Sequence, residues 1–260
     1  MNRIKQSVKA HPQSSEDQPF RLESPPFSAS WQKTICALFA PLHYEPGYAY
    51  PLLVWLHGWG TDEGQLMQIM PQVSIRNYVA VAPRGPRLCG TEGSDRGSYG
   101  WQQSADHIQH AEQRIFDSIE TARRRFHVAR QRVFLAGFDC GGTMAFRVAM
   151  NHPARFAGVL SLCGAFPSGS APFGNLLQAR RLPLFLACGR DSREYASAEV
   201  CRNLRLFHAA GLSITLRQYP CGHQLAPQML SDVNRWVMEQ TVPPEASGSQ
   251  VDHHWSRETD

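Results

Sequence analysis

The residues with the clearest chemical meaning lie at a glycine-flanked turn that carries an acidic side chain. An apolar stretch over residues 133–138 is followed by a helix-like stretch from residue 141, and the turn between them reads Gly137-Phe138-Asp139-Cys140-Gly141. A strand, a sharp G-x-S-x-G turn and a helix are typical of a nucleophile elbow, which exposes a reactive serine hydroxyl. The central position here is Asp139, so a carboxylate stands where the pattern has its nucleophile.

Two further side chains complete a candidate catalytic set. Asp191 and His223 each follow a predicted strand, and the order Asp139, Asp191, His223 matches the order nucleophile, acid, histidine that accompanies such an elbow. We predict that His223 is the general base and that Asp191 accepts a hydrogen bond from its imidazole. Asp191 has another interpretation, as the N-cap of a helix predicted from about residue 193. Glu194 is a rival for the acid, but it falls inside that predicted helix.

A second glycine-rich turn follows an earlier predicted strand and reads His57-Gly58-Trp59-Gly60. We predict that the backbone N–H groups of Trp59 and Cys140 form an oxyanion hole, with Gly58 and Gly60 allowing the turn. His57 is expected to fix this loop through hydrogen bonds.

His57 and Gly58 also border the predicted substrate cleft. Tyr99 and Trp101 either line that cleft or pack a loop.

Apolar strand-like runs alternate with helical patterns through the middle of the chain. The predicted strands cover residues 34–40, 52–56, 78–82, 132–136, 156–162, 184–188 and 213–218, and the predicted helices cover 62–70, 104–126, 141–151, 193–210 and 227–239. Such alternation predicts an α/β fold, with a mostly parallel sheet covered by helices on both faces. The loops that follow the strands then share one edge of the sheet, where the candidate residues are expected to meet.

The composition narrows the function classes. The net charge of +4 is spread over scattered basic residues, which predicts no nucleic-acid partner, and no apolar run reaches the ~18 residues of a membrane span. The polar, proline-bearing ends predict a loosely attached arm over residues 1–30 and a tail over 242–260 around a domain at 31–241.

The seven cysteines show no C-x-x-C spacing, so we expect no metal site and a reduced, cytoplasmic setting. The sequence leaves one disulfide, between Cys89 and Cys221, open.

These motifs together resemble the carboxylesterase/phospholipase family of α/β hydrolases, which includes acyl-protein thioesterases. The resemblance rests on residues 56–63, on Ala82-Pro83-Arg84-Gly85-Pro86 with the later Tyr99-Gly100-Trp101, and on residues 135–145. The family pattern at the elbow is G-F-S-Q-G-G, so Asp139 and Cys140 depart from it. The resemblance implies an α/β-hydrolase fold. Only residues 165–182 join the predicted strands at 156–162 and 184–188, which is too short for a large cap domain. The resemblance also implies hydrolysis of a small carboxylic ester or thioester through an acyl-serine, with no metal or cofactor.

The departure at Asp139 leaves three hypotheses. The first is a carboxylic ester or thioester hydrolase that uses a non-standard Asp139-Asp191-His223 site. The second is a catalytically impaired pseudo-hydrolase that acts as a binding protein. The third is an Asp-nucleophile hydrolase of alkyl halides or epoxides, since a carboxylate is competent in displacement at saturated carbon. Cys140 is disfavoured as a nucleophile because the bulky Phe138 would precede it in the strained elbow. The sequence leaves substrate specificity and oligomeric state open.

Overall fold

A seven-stranded sheet forms the centre of the computed structural model, which describes residues 34–88, 98–167, 169 and 174–241. The strands are β1 (Cys36–Phe39), β2 (Tyr50–Leu56), β3 (Val79–Pro83), β4 (Val128–Phe138), β5 (Gly158–Leu162), β6 (Leu184–Gly189) and β7 (Ile214–Tyr219). Their order across the sheet is β1-β3-β2-β4-β5-β6-β7. β1 runs antiparallel to β3, and every other pairing is parallel. The fold is therefore the mostly parallel α/β sheet that the sequence predicts.

Helices cover both faces of this sheet. They are α1 (Gln65–Val73), α2 (Ala105–Arg125), α3 (Cys140–Asn151), α4 (Leu176–Ala179), α5 (Ser197–Ala210) and α6 (Pro227–Thr241), with a short 3-10 helix at Pro153–Arg155. Each strand and helix predicted from the sequence has a counterpart. One boundary is wrong in a way that matters, because α5 begins at Ser197 rather than near residue 193.

The hydrophobic core has two halves, one on each face of the sheet. In β2, Leu52, Val54 and Leu56 pack with residues of α2 and α3, whereas Leu53 and Trp55 face the opposite half, formed with α1 and α6. Side chains of a strand alternate between faces, so a strand covered on both sides must be apolar at every position. This requirement explains why β2 is buried along its whole length.

The strand order changes direction between β2 and β4. The chain passes from β2 to β3 on one side and then returns to place β4 on the other side of β2. The loops after β2 and β4 therefore leave the carboxyl edge of the sheet in opposite directions, and such a switch point opens a crevice for a ligand. The loop after β2 carries His57–Gly60, and the turn after β4 carries Asp139.

The connection from β5 to β6 occupies residues 163–183, and its described part contains the four-residue α4. A connection of this length holds no large cap domain, as the sequence predicts. The predicted arm at 1–30, the predicted tail at 242–260 and Cys89 lie outside the described residues.

Candidate active site

The elbow between β4 and α3 holds Asp139 in a strained backbone conformation. Asp139 has φ 52° and ψ −125°, a region that non-glycine residues seldom adopt. Its N–H donates to the carbonyl of Leu162 at 2.9 Å, which ties the turn to β5. A side chain at Gly141 would overlap the carbonyl oxygens of Leu56 and His57. The glycine of this motif is therefore required because α3 begins directly against the end of β2.

The carboxylate of Asp139 is bound through both of its oxygens. Oδ1 lies 3.2 Å from Nε2 of His223, and Oδ2 accepts a hydrogen bond of 3.1 Å from the N–H of Trp59. The backbone N–H of the adjacent Cys140 also lowers the pKa of this carboxylate. The structure thus brings together Asp139, His223, Trp59 and Cys140, all of which the sequence placed in one site.

The contact between Asp139 and His223 favours the charged form of each. Burial, the largest single influence, raises the pKa of Asp139, but hydrogen bonds from His223, Trp59 and Cys140, with the charge of His223, leave it below its ordinary value of 3.8. The hydrogen bond to Asp139 raises the pKa of His223 above 6.5 against the effect of burial, and the charges of Asp139 and Glu194 add to the rise. The pair is an imidazolium–carboxylate ion pair at slightly acidic pH.

The other ring nitrogen of His223 does not face Asp191. Its Nδ1 lies 3.3 Å from Oγ of Ser192 and 4.0 Å from Oε2 of Glu194. The carboxylate of Asp191 is 58% exposed and pairs instead with the neighbouring Arg190, at 3.1 Å from its Nε. Glu194 can approach His223 because α5 begins only at Ser197, which leaves Glu194 in the preceding loop. The prediction that Glu194 falls inside this helix is therefore wrong.

His57 is a buried structural residue of the loop after β2. The N–H of Gly85 donates to its Nε2 at 2.9 Å, so Nδ1 carries the proton and donates to the carbonyl of Gly58 at 2.9 Å. Burial lowers the pKa of His57, and this effect outweighs the hydrogen bond to Gly58 and the charges of Asp62 and Glu63, which raise it. A neutral, fully enclosed imidazole holds the loop and has no surface left for a ligand.

Trp101 and Tyr99 brace the same loop. The indole N–H of Trp101, which is 2% exposed, donates to the carbonyl of His57 at 3.1 Å. The carbonyl of Tyr99 accepts the N–H of Gly60 at 2.9 Å. Gly60 has φ +73°, a conformation that favours glycine. In contrast, the indole of Trp59 is 58% exposed beside the site.

An ion pair that the sequence analysis missed fixes the outer part of this loop. The guanidinium of Arg84 donates two hydrogen bonds to the carboxylate of Glu63, from Nη2 to Oε1 and from Nε to Oε2, the latter at 2.6 Å. Gln65 adds a second anchor, because its Oε1 accepts hydrogen bonds from the indole of Trp55 at 2.8 Å and from the N–H of Gly58 at 3.3 Å. Arg84 and Glu63 belong to the two motifs that carry the resemblance, and only their pairing in space was hidden.

The cysteine at the elbow is a poor nucleophile. Burial raises the pKa of Cys140 to about 12, so its thiol stays protonated at neutral pH. The six cysteines that the structure describes, including Cys221, are free thiols. The described ranges contain no cluster of His, Cys, Asp or Glu side chains that could hold a metal ion. None of the described helices is both long and apolar enough to cross a membrane.

Comparison with known proteins agrees with this architecture. A profile of the phospholipase/carboxylesterase family matches residues 46–240. Among solved structures, acyl-protein thioesterase 2 of Zea mays is 17% identical with a TM-score of 0.64, and it covers 80% of this chain and 99% of its own. The carboxylesterase of Bacillus cereus is 16% identical with a TM-score of 0.63, covering 80% and 95%. SOBER1 of Arabidopsis thaliana is 19% identical with a TM-score of 0.62, covering 74% and 99%. The match over most of the chain shows that this protein belongs to the phospholipase/carboxylesterase family of hydrolases.

Proposed function

We propose that this protein is a catalytically impaired member of its family, which binds a small carboxylic ester or thioester in the crevice but does not form an acyl-enzyme. Asp139 takes the nucleophile position of the elbow in this proposal. The observation that carries it is the occupation of a predicted oxyanion donor, because the N–H of Trp59 donates to the carboxylate of Asp139 at 3.1 Å. The N–H of Cys140, the other predicted donor, lowers the pKa of the same carboxylate. A substrate carbonyl oxygen cannot use a donor that already binds the fixed carboxylate.

The chemistry of a carboxylate supports the same proposal. Attack of Asp139 on an ester carbonyl would form a mixed anhydride and expel a far more basic alkoxide, which runs uphill. His223 is also disabled as a base while Asp139 holds it in the protonated form. Any ester hydrolysis by this site would therefore proceed by direct attack of water, at most ~10³–10⁴-fold above the uncatalysed rate. In this proposal, ester hydrolysis is limited to this slow route.

Turnover and binding should be measured on the same substrates. Wild-type protein should hydrolyse short-chain p-nitrophenyl esters at a rate within a few-fold of His223→Ala, while the esters shift the NMR signals of Trp59 and His223 saturably. Asp139→Ser should raise the rate at least about 10-fold, because it frees the N–H of Trp59 and supplies a hydroxyl. Asp139→Asn is the matched control, since it removes the charge without adding a nucleophile. Wild-type turnover near the ~10 s⁻¹ typical of enzymes, lost in His223→Ala, would overturn the proposal.

A second candidate function is displacement at saturated carbon with Asp139 as the nucleophile. The two oxygens of the carboxylate have different partners, which favours this candidate. Oδ2 accepts a hydrogen bond from the N–H of Trp59, and Oδ1 faces His223. Oδ1 would form a C–O bond as halide leaves, or as an epoxide C–O bond opens. Alkylation would neutralise Asp139, so the pKa of His223 would fall and His223 could deprotonate the water that hydrolyses the alkyl ester.

A trapped intermediate decides this second candidate. In His223→Gln the alkyl ester on Asp139 should accumulate, and mass spectrometry of the intact protein should show the added alkyl group after incubation with a short 1-haloalkane or an epoxide. Asp139→Asn, treated in the same way, is the matched control. An unmodified His223→Gln protein with both reagent classes would contradict the candidate.

A further inference from the structure

We infer that the carboxylate and the hydroxyl of a serine-hydrolase triad have exchanged places across His223, so that Ser192 is the residue that positions its imidazole. This inference rests on the proposed function and deepens it. In a working triad the serine hydroxyl faces Nε2 and the acid accepts the proton of Nδ1. In this protein Nε2 faces the carboxylate of Asp139 at 3.2 Å, and Nδ1 faces the hydroxyl of Ser192 at 3.3 Å.

Ser192 is held firmly enough to act as a positioning residue. It is only 7% exposed, although it lies in a loop between β6 and α5. The backbone N–H of Tyr195 donates to its Oγ at 3.1 Å, and Tyr195 is itself buried. This local turn holds the hydroxyl within 3.3 Å of Nδ1 of His223.

Asp191 is directed away from the imidazole by its own contacts. Its N–H donates to the carbonyl of Cys221 at 3.0 Å, which fixes the backbone beside the loop of His223. Its carboxylate then points outwards to Arg190, which is 63% exposed. The two consecutive residues Asp191 and Ser192 thus have opposite directions, and the hydroxyl rather than the carboxylate reaches Nδ1.

A continuous hydrogen-bond chain follows from the protonated imidazole. Both N–H groups of His223 then donate, one to Asp139 and one to Oγ of Ser192. The hydroxyl of Ser192 is left to donate to Oε2 of Glu194 at 3.5 Å. In a working triad the carboxylate that supports the base contacts Nδ1, but here the nearest carboxylate, that of Asp139, contacts Nε2. Nδ1 contacts the neutral hydroxyl of Ser192, and the exposed carboxylate of Glu194 lies beyond it.

We expect that Asp139→Ser combined with Ser192→Asp restores esterase activity that Asp139→Ser alone does not. Asp139→Ser alone supplies a hydroxyl to Nε2 but leaves Nδ1 against another hydroxyl, and loss of the acid costs a triad about 10⁴-fold in kcat. Adding Ser192→Asp should raise kcat for p-nitrophenyl esters at least about 100-fold over Asp139→Ser, with KM changed by less than about threefold. The rate of the double variant should rise with pH as His223 loses its proton, and a fluorophosphonate should label it faster than the single variant.

A matched control tests whether the added carboxylate must lie beside His223 or acts only through its charge. Ser213→Asp, combined with Asp139→Ser, adds the same carboxylate at an exposed position just before β7, whereas His223 follows the other end of that strand. It should leave kcat of Asp139→Ser within about twofold. A folded double variant with Ser192→Asp that gains no more than this control would overturn the inference. So would Asp191→Asn, if it removed the esterase activity of Asp139→Ser.

The pKa of His223 tests the inference without requiring any variant to gain activity. In wild-type protein, Ser192→Ala should lower the pKa of His223 measured by NMR, because Nδ1–H loses its acceptor, and Ser192→Thr should restore it. An unchanged pKa in Ser192→Ala would overturn the inference even if the double variant failed to fold. The proposed function is decided separately by wild-type turnover, whereas this inference is decided by comparison among variants.

Discussion

A carboxylate and an imidazole in direct contact control this site at the scale of single residues. The same contact that lowers the pKa of Asp139 raises that of His223, so each residue favours the charged form of the other. The strained backbone of the elbow, with φ 52° at Asp139, holds the carboxylate in contact with both Trp59 and His223. In the proposed function, Asp139 therefore affects both the nucleophile position and the candidate base.

The ion pair predicts a window of pH in which it stabilises the fold. His223 has a raised pKa, so its contribution is complete below its ordinary value of 6.5 and is lost as pH rises through the folded value. Asp139 has a lowered pKa, so its contribution is complete above 3.8 and is lost as pH falls through the folded value. Asp139→Asn should therefore cost most between these two values, by about 1–2 kcal/mol of unfolding free energy.

Urea unfolding of wild-type protein and Asp139→Asn at pH 5, 7 and 9 measures this window. Glu239→Gln, at an exposed position on α6, controls for the change in net charge. The difference between wild type and Asp139→Asn should shrink at pH 9, whereas that for Glu239→Gln should stay small throughout. A difference that grew towards pH 9 would contradict the assignment of the ion pair.

At the scale of elements, the site depends on the close approach of β2, β4 and α3. Gly141 opens α3 with no space for a side chain, because the carbonyl oxygens of Leu56 and His57 lie directly against it. This proximity brings the N–H of Trp59 to the carboxylate of Asp139. The loop after β2 then keeps its shape through His57 at its base and the Glu63–Arg84 ion pair at its rim.

Substitution of Gly141 should show how tightly these elements fit. Gly141→Ala should lower the free energy of unfolding by about 3 kcal/mol, because its methyl group meets backbone atoms that cannot rotate away. Gly47→Ala is the matched control, since no atom lies within 4 Å of a side chain added there, and its cost should stay within about 0.5 kcal/mol. Denaturant midpoints of both variants provide the comparison, and equal midpoints would contradict the packing described for the elbow.

For the described domain as a whole, the sheet and its two helical layers provide a rigid support for the crevice. Apolar side chains fill both faces, with Leu160 and Phe134 in the half formed with α1 and α6, and Leu135 and Val159 in the other half. The candidate site lies at the carboxyl edge between β2 and β4, where the strand order changes direction. The buried side chains that stabilise the domain and the residues of the candidate site thus lie in different parts of the same sheet.

Truncation of a core residue should destabilise the domain far more than truncation at its surface. Leu160→Ala should cost about 2–5 kcal/mol, because Leu160 is fully buried in the centre of β5. Leu177→Ala removes the same atoms from a residue that is 78% exposed, and its cost should stay within about 0.5 kcal/mol. Thermal or urea unfolding of the pair tests the two-layer core, and a Leu160→Ala protein as stable as Leu177→Ala would count against it.

The amino-acid sequence by itself determined the order and type of the elements, the elbow at Asp139 and the membership of its loops in one edge of the sheet. These features follow from local rules, since apolar periodicity marks strands and helices, and parallel strands bring their carboxyl ends together. The strand order that places β2 beside β4 agrees with this expectation.

Only the tertiary structure decided which side chains meet His223. Asp191, Ser192 and Glu194 are almost adjacent in sequence, but only Ser192 and Glu194 approach Nδ1 of His223. The hydrogen bond from the N–H of Asp191 to the carbonyl of Cys221 joins their loop to that of His223. The occupation of the Trp59 N–H by Asp139 is likewise a contact between residues far apart in the chain. Sequence patterns predict which loops converge, but the orientation of each side chain within a loop is set by the packing of the whole domain.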